Sequence, residues 1–333
     1  MTTLVTGAAG FLGGHVTELL LARGHRPRVL IAPGDRADWL AEGGVEIHVA
    51  DICDPVALRP ALSGAEVVIH CAARTGPWGP AREYLRTNVH GLATLLSGAL
   101  DAGVRRVVHV SSVTVHGNDV QGEADESAPL REEPNPYSRS KVAGEQLLRQ
   151  MIRDEHAPVA IVRPGWIYGP RDGASFARLA QTIESGRMVL VGAGQNHLPL
   201  IYARDAALGA ILAAEAPGAD GRCYLLVNDE PVTQRDFIAE IATQLGVQPP
   251  ARSIPYELAL KLGTVAERMA RLAGGRRPPP VMRYGMQLLG GENQFTISRA
   301  RGELGFSPQV GLAEGVRRSV EWYRAAQLRM VGV

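Results

Sequence analysis

Tyr137 and Lys141 stand at i and i+4 in Asn135-Pro136-Tyr137-Ser138-Arg139-Ser140-Lys141, which puts a phenol and an ammonium on one face of a helix. A phenol with a pKa near 10 is a poor acid or base at neutral pH, and a nearby ammonium favours the phenolate and lowers that value. Alone, the pair reads equally well as a solvated helix face. Two other features accompany it. Ser111 and Ser112 end the β-branched run Val107-Val108-His109-Val110, and Thr6-Gly7-Ala8-Ala9-Gly10-Phe11-Leu12-Gly13 links a strand-like run to a helical pattern. A glycine triplet at a strand-to-helix turn suits a pyrophosphate. Gly7 permits the turn, Gly10 lets the backbone approach the anion, and Gly13 lets the helix lie close on the strand. The free N–H groups at the helix start, on Phe11, Leu12 and Gly13, face the phosphates.

The elements that must position these groups alternate through the first half of the chain. Leu4–Thr6, Val29–Ile31, Val45–Val49, Val67–His70 and Val107–Val110 are short and apolar on both faces, as parallel strands covered by helices should be. Helical patterns lie between them at Phe11–Arg23, from Asp54-Pro55, at Arg82–Ala102 and at Tyr137–His156, and Val159–Val162 supplies a sixth strand. The fold class is therefore α/β, a Rossmann-type doubly wound parallel sheet, with Ser112 at its carboxyl edge where such sheets present their ligand crevice. Residues 1–163 form this first domain.

After Arg163, Pro-Gly clusters break the rhythm, and residues 164–333 read as a smaller, mostly helical substrate lobe. Its helical runs are Ala206–Glu215, Thr233–Leu245, Tyr256–Leu272 and Leu312–Arg329. Segments near 198–215 and 223–227 return to the first domain, with Leu198–Ala203 and Cys223–Val227 expected as strands. In Tyr256–Leu272, Leu258, Leu262, Val265, Met269 and Leu272 recur at helical spacing. Such a stripe is mostly core, with part able to wall an apolar pocket or rest on a membrane surface.

Thirty-five Lys+Arg against 34 Asp+Glu leaves a net charge of +1, and 45% of residues are hydrophobic. That balance excludes a disordered chain and a broad basic nucleic-acid surface. Cys53, Cys71 and Cys223 show neither metal-ligand spacing nor a disulfide framework, so no metal site is expected and a reducing, cytoplasmic setting is. The longest uncharged run, Met1–Thr17, lacks the positive flank of a signal peptide. It is also shorter than the ~20 apolar residues of a spanning helix, so no integral membrane segment is expected. His15, His48 and His156 read as structural or solvent-facing.

The tight glycine spacing resembles that of the short-chain dehydrogenase/reductase superfamily, and the length and second lobe resemble its extended branch. The resemblance implies a nicotinamide cofactor, NAD(P). Asp51, with Ile52, then touches the adenine, although a plain turn or helix cap is the alternative for that aspartate. Ala72 and Ala73 border the nicotinamide-side ribose. The second strand ends Ile31-Ala32-Pro33 without a selecting charge, and Arg36, beside Asp35, tilts the choice slightly toward NADP. Val110-Ser111-Ser112-Val113-Thr114-Val115-His116-Gly117 resembles the family's S-S-x-x-V-[YFH]-G segment. This implies Ser112 as the catalytic hydroxyl on the substrate oxygen and Ser111 as its cofactor-side neighbour. Tyr137 then exchanges the proton with that oxygen, and Lys141 holds the ribose and tunes Tyr137. Asn88 matches a helix asparagine that is architectural or a water relay. Arg163-Pro164-Gly165-Trp166-Ile167-Tyr168-Gly169-Pro170 resembles a loop lining the carboxamide, with Pro164, Gly165 and Ile167 as backbone contacts. Trp166 either faces substrate or packs in the core.

Two stretches separate the branches. Thr75-Gly76-Pro77-Trp78-Gly79-Pro80 resembles the substrate-overhanging loop of bacterial 3β-hydroxysteroid dehydrogenases and 2-alkyl-3-oxoalkanoate reductases, with a surface turn as the alternative. In Gly192–Tyr202, nucleotide-sugar epimerases are similar but carry an Arg-Asp pair where this chain has Leu198-Pro199. The charge-assisted clamp for a diphosphate is absent there, although Arg178 or Arg283 could replace it. The substrate candidates are Thr75, Trp78, Ser112, Trp166 and His197. The function implied is an NAD(P)-dependent oxidoreductase interconverting a secondary alcohol and a ketone on a mostly apolar substrate, steroid or 3-oxo lipid. A nucleotide-sugar epimerase, dehydratase or 4-ketoreductase is the alternative. A non-catalytic cofactor sensor would tend to have lost the Tyr/Lys pair. Family members commonly form homodimers through the helices at Arg82–Ala102 and Tyr137–His156, which would then present apolar faces.

Overall fold

The computed structural model describes residues 2–36, 38–275 and 277–331. Its central sheet takes seven strands: β1 Thr3–Thr6, β2 Arg28–Ile31, β3 Glu46–Val49, β4 Val67–His70, β5 Arg106–Val110, β6 Val159–Pro164 and β7 Cys223–Leu226. All pair in parallel, in the order β7-β6-β5-β4-β1-β2-β3. The principal helices are α1 Phe11–Ala22, α2 Pro55–Leu62, α3 Gly91–Asp101, α4 Pro136–Glu155, α5 Phe176–Glu184, α6 Ala203–Glu215, α7 Gln234–Leu245, α8 Tyr256–Leu272, α9 Arg283–Gly290 and α10 Leu312–Val331.

The strands lack polar alternation because each face of the sheet has its own core. Val5, Val29, Ile69, Val108 and Ala160 pack with α1 and α6. Their neighbours Leu4, Leu30, Val68, Val107 and Ile161 point the other way, onto α2, α3 and α4. Strand order reverses between β1 and β4, the place where such sheets open a crevice at their carboxyl ends. A third core, built on Tyr168, Phe176, Phe237, Ile241 and Val316, joins α5, α7 and α10.

Local chemistry sets where the site-bearing helix begins. Asn135 caps α4 by accepting the Ser138 N–H at 2.9 Å, and Pro136 occupies its first turn. Tyr137 and Lys141 therefore fall in the first two turns. The expected helix over Arg82–Ala102 is interrupted: Ala81–Leu85 leads through a π-turn, Arg86–His90, into α3. Gly91 permits close contact there, since a Cβ would lie 2.6 Å from a methyl of Ile52.

Three expectations need correction. Leu200–Tyr202 is a strand, but it pairs with Trp166–Tyr168 in a separate ribbon rather than rejoining the main sheet; Cys223–Leu226 does rejoin it. The stripe Leu258, Leu262, Val265, Met269 and Leu272 is exposed, not core. The buried face of α8 is Ala259, Leu260 and Gly263, and Gly263 lies so close to α9 that a Cβ would stand 2.5 Å from the Arg283 nitrogen. The outer surface of α4 and of the Arg82–Ala102 segment is polar rather than apolar. It exposes Arg82, Arg86, Ser97, Arg139, Gln146, Arg149 and Gln150, with Leu85 as the exposed large apolar side chain there among the described residues. No helix among the described residues is long and apolar enough to cross a membrane.

Gly165 lies tight against the chain that leads into the 200–202 strand, because a Cβ there would stand 1.9 Å from the Pro199 carbonyl oxygen. Gly165→Ala should force the 166–168 and 200–202 strands apart and destabilise the protein by about 1–3 kcal/mol. A thermal melt reads this as a drop of several degrees, and an unchanged midpoint would contradict the packing.

Candidate active site

β1 runs into a turn in which Gly7 has φ +67°, and a Cβ on it would lie 2.7 Å from the Ala72 backbone. Gly13 is closer still to the turn, since its Cβ would meet the Gly7 oxygen at 2.2 Å. Gly10 is different. It is exposed, and its Cβ would meet only that same oxygen, at 3.1 Å. Gly10 caps α1 without a side-chain hydrogen bond, and α1 carries no acidic residue in its first turn. The amides of Phe11, Leu12 and Gly13 thus present the positive end of the helix with no side-chain anion of their own. This cradle, which a side chain at position 10 would fill, fits a diphosphate.

Around it, the Asp51 carboxylate accepts the Cys53 N–H at 3.0 Å and pairs with Arg86. Those bonds, the Cys53 N–H first, hold its pKa below the usual range. Ile52 is buried against Gly91. Asp35 closes its own turn by accepting the Ala32 N–H at 3.2 Å, leaving Arg36 exposed and without an ion pair among the described residues. Ala72 donates its N–H to the Thr6 hydroxyl at 3.3 Å, which shares a 2.7 Å hydrogen bond with His70. Ala73 follows, half-buried. Burial, aided by the Lys141 charge, pushes His70 down to about 3 and drives its neighbour His109 lower than an ordinary histidine, so both rings are neutral.

The catalytic candidates converge at the ends of β5 and α4. Ser112 opens a short 3₁₀ turn, Val113–His116, accepting the Thr114 N–H at 3.2 Å and donating to the Thr114 hydroxyl at 3.0 Å. Its hydroxyl also lies near enough to the Tyr137 phenol to act on its ionisation. Burial and the neighbouring Tyr284 push that phenol's pKa up, with Ser112 opposing. The Lys141 ammonium donates to the Val110 carbonyl at 2.8 Å. Burial lowers it to about 8, against the opposing charges of Glu145 and Cys71.

Several members of this site carry no motif. Tyr284, on α9, shares a 3.3 Å hydrogen bond with Thr114 and so joins the second lobe to the line Ser112–Thr114. Glu145, one turn beyond Lys141, is fully buried against Arg163, which donates through Nε at 2.8 Å and a terminal nitrogen at 2.5 Å. Ser111 donates to the same carboxylate at 2.6 Å. Arg163 also reaches the His116 ring at 3.0 Å and the Glu126 carbonyl at 3.2 Å. Burial works against the Glu145 carboxylate, yet Arg163 and Ser111 hold its pKa below the ordinary value. The spacing of Glu145 four residues after Lys141 was the available signal; Tyr284 had none.

Asn88 is saturated. It accepts the Arg74 N–H at 2.7 Å and donates to the Arg74 carbonyl at 3.0 Å and to Ser140 at 2.8 Å, which ties the 71–75 loop to α4. Trp78 donates its indole N–H to the Gly275 carbonyl at 2.9 Å, clasping its loop to the segment after α8, while Tyr84 donates to the Gly76 and Trp78 carbonyls beneath. Thr75 is exposed on that loop. Trp166 sets its edge on Phe237 and donates to Ser175 at 3.2 Å, which accounts for it as packing. Pro164 ends β6, Gly165 gives its N–H to Leu226 at 2.9 Å, and Ile167 lies in the ribbon opposite Ile201. His197 is not drawn into the set. Its ring pairs with Glu292 at 2.7 Å and lines a separate cleft with Pro199 and Asn228. His15, expected without a partner, bonds the Pro170 carbonyl at 3.0 Å.

The sequence model of the NAD dependent epimerase/dehydratase family matches residues 3–226. The chain belongs to that family. Its extent spans β1 to β7 and so includes the glycine turn, Ser112, Tyr137 and Lys141. Among curated relatives, a 2-alkyl-3-oxoalkanoate reductase of Stenotrophomonas maltophilia is 32% identical over 96% of this chain and 98% of its own length. The crystal structure of gox2253 superposes with a TM-score of 0.82 at 32% identity, covering 98% of both chains. A nucleoside-diphosphate-sugar epimerase, PA4631 from Pseudomonas aeruginosa, gives 0.78 at 26% identity with the same coverage. This member of the epimerase/dehydratase family is an NAD-dependent oxidoreductase.

Two stability tests follow from the buried charges. Glu145→Gln leaves Arg163 uncompensated and should cost about 3–5 kcal/mol in denaturant unfolding, while Glu145→Met with Arg163→Met should recover most of that loss. Lys141 holds its proton less tightly in the folded protein, at about 8, than an ordinary lysine does at 10.5. The unfolded chain therefore binds more protons between those values, and this lysine's contribution to stability rises with pH through that window. The urea midpoint of Lys141→Met minus that of the wild type should be most positive below pH 8 and shrink by pH 9.5; a constant difference would contradict the burial.

Proposed function

We propose that the chain interconverts a ketone and a secondary alcohol on a mostly apolar substrate of the 3-oxo lipid or steroid type. The observation that carries this reading is the meeting of Ser112 and Tyr137 at the sheet's carboxyl edge, with the Lys141 ammonium alongside at the end of β5. The glycine turn would hold the cofactor's diphosphate, Asp51 and Ile52 its adenine side, and Lys141 the ribose hydroxyls. The chemistry expected of a nicotinamide is hydride exchange at C4.

Within that frame the chain's own groups move and hold a proton. Tyr137 donates its phenolic proton to the carbonyl oxygen in reduction and removes it in oxidation. Ser112 donates a hydrogen bond to the same oxygen, turning from Thr114 to do so. A raised phenol pKa suits proton retention, and the ammonium of Lys141 provides the counter-charge when the phenolate forms. Thr114 and Tyr284 orient Ser112 from the side of the second lobe.

Substrate class rests on what surrounds this centre. Leu198 is buried in the second lobe's core and Pro199 offers its carbonyl to Trp166, so those positions bring no charge to a diphosphate. Arg178 is exposed and bonds the Ala174 carbonyl of its own segment. The Trp78 clasp adds an aromatic wall. For the cofactor, the unpaired Arg36 supports a lean toward NADP, whose 2′-phosphate it could meet. A cytoplasmic setting and a homodimer complete the reading, although the polar outer surface of α4 gives the dimer no apolar seam.

A panel of hydrophobic ketones, sterols and sugar nucleotides, followed at the reduced nicotinamide absorbance, tests the assignment. Stoichiometric cofactor oxidation with an apolar ketone is expected; sugar interconversion without net oxidation would replace this reading with that of an epimerase. Tyr137→Phe should lower kcat by at least about 100-fold with cofactor affinity preserved. Arg36→Ala should raise the KM for NADP about tenfold and leave that for NAD unchanged; equal effects on both would remove the NADP preference.

A further inference from the structure

Half of the large apolar side chains exposed among the described residues sit on one helix. On α8, Leu258 is 46% exposed, Leu262 50%, Val265 57%, Met269 62% and Leu272 85%, and Val281 follows at 37%. Their spacing of four, three, four and three keeps them on one stripe. The stripe is the face turned away from α9, since Ala259, Leu260 and Gly263 make the buried side. A continuous apolar surface of this kind on a folded chain marks something that covers it.

The charges beside the stripe identify what fits. Lys261 and Arg268 are exposed and each directly precedes a stripe residue, which sets them along one margin. Arg271 is exposed over the Trp78 ring, its guanidinium 5.2 Å from the ring centre, and Arg277 is exposed just beyond the helix. The acidic residues of α8 are Glu257 and Glu267. Glu257, directly before Leu258, is exposed on the same margin, whereas Glu267 is turned inward, with 16% of its side chain accessible, accepts the Arg283 N–H at 2.9 Å and lies 3.8 Å from the Arg271 guanidinium. The exposed margin is therefore basic on balance. A second copy on the same face would set that margin against itself. An anionic bilayer instead takes the stripe into its acyl boundary and the basic margin against its headgroups.

We propose that α8 is a docking helix that lies in the surface of an anionic lipid bilayer. Its carboxyl end leads to Gly275, whose carbonyl holds the Trp78 indole, so the docked face adjoins the loop assigned to the substrate. Delivery of a lipid-soluble substrate from the bilayer rests on the proposed function; the docking itself does not. It is therefore tested without substrate or turnover.

The full chain is sedimented with vesicles of phosphatidylcholine alone and of phosphatidylcholine with about 30 mol% phosphatidylglycerol, at low and at high salt. Binding to the anionic vesicles, weakened by salt and at least about tenfold tighter than to the zwitterionic ones, is expected. Leu262→Ser with Met269→Ser should reduce it about tenfold or more, and Lys261→Gln with Arg268→Gln severalfold with a flatter salt dependence. Both variants change exposed residues, and thermal melts matching the wild type confirm that they fold. No binding by the wild type, binding indifferent to lipid charge, or binding unchanged in the Leu262/Met269 variant would overturn the proposal. So would sedimentation equilibrium in which that variant abolishes a wild-type dimer, because the stripe would then be a protein interface.

Discussion

One buried ion pair holds the parts of the site in register. Glu145 on α4 and Arg163 at the end of β6 are both without solvent access, and each would be costly to bury alone. Together they form a forked contact whose remaining valences go to Ser111, His116 and the Glu126 carbonyl. Glu126 in turn accepts the Leu225 N–H from β7 with its carboxylate. Strand ends β5, β6 and β7 and the helix bearing Tyr137 and Lys141 are thus tied through one charge-compensated knot. A neutral His116 is part of that arrangement, because burial and Arg163 bring its pKa down to about 4 and leave its ring nitrogen free to accept. An apolar knot of equal volume could be as stable, but it would not orient Ser111 or set the rotation of α4 so narrowly.

Much of this was legible in the residues because it is local. Strand periodicity, the glycine turn, the Asp54-Pro55 helix start and the i, i+4 pair each act within a few residues, and each marked its element. The parallel sheet followed from strands apolar on both faces. What escaped depends on distant partners. Val120–Ala124 pairs with Asn293–Phe295, two polar stretches that show no strand pattern on their own. The π-turn at Arg86–His90 lies where Gly91 presses against Ile52 and Asn88 reaches the 74 backbone, contacts with distant chain that no local pattern shows. Leu200–Tyr202 was read correctly as extended, but its partner was not.

The stripe on α8 shows a different limit. Periodicity reports that a helix has an apolar face, not which way the face turns. The smallest residues decide here: Gly263 and Ala259 let α8 settle closely on α9, so the bulky side chains are left outside. In the candidate site, likewise, the expectation that Lys141 tunes Tyr137 came from their spacing and from the family resemblance. In the free protein the ammonium is directed to the Val110 carbonyl, and the phenol's nearest influences are burial, Tyr284 and Ser112.

Tyr284 reaches the hydroxyl line from the opposite lobe. The place of α9 and the setting of the Thr114 hydroxyl, which accepts from Ser112, are therefore coupled across a long stretch of chain by one hydrogen bond.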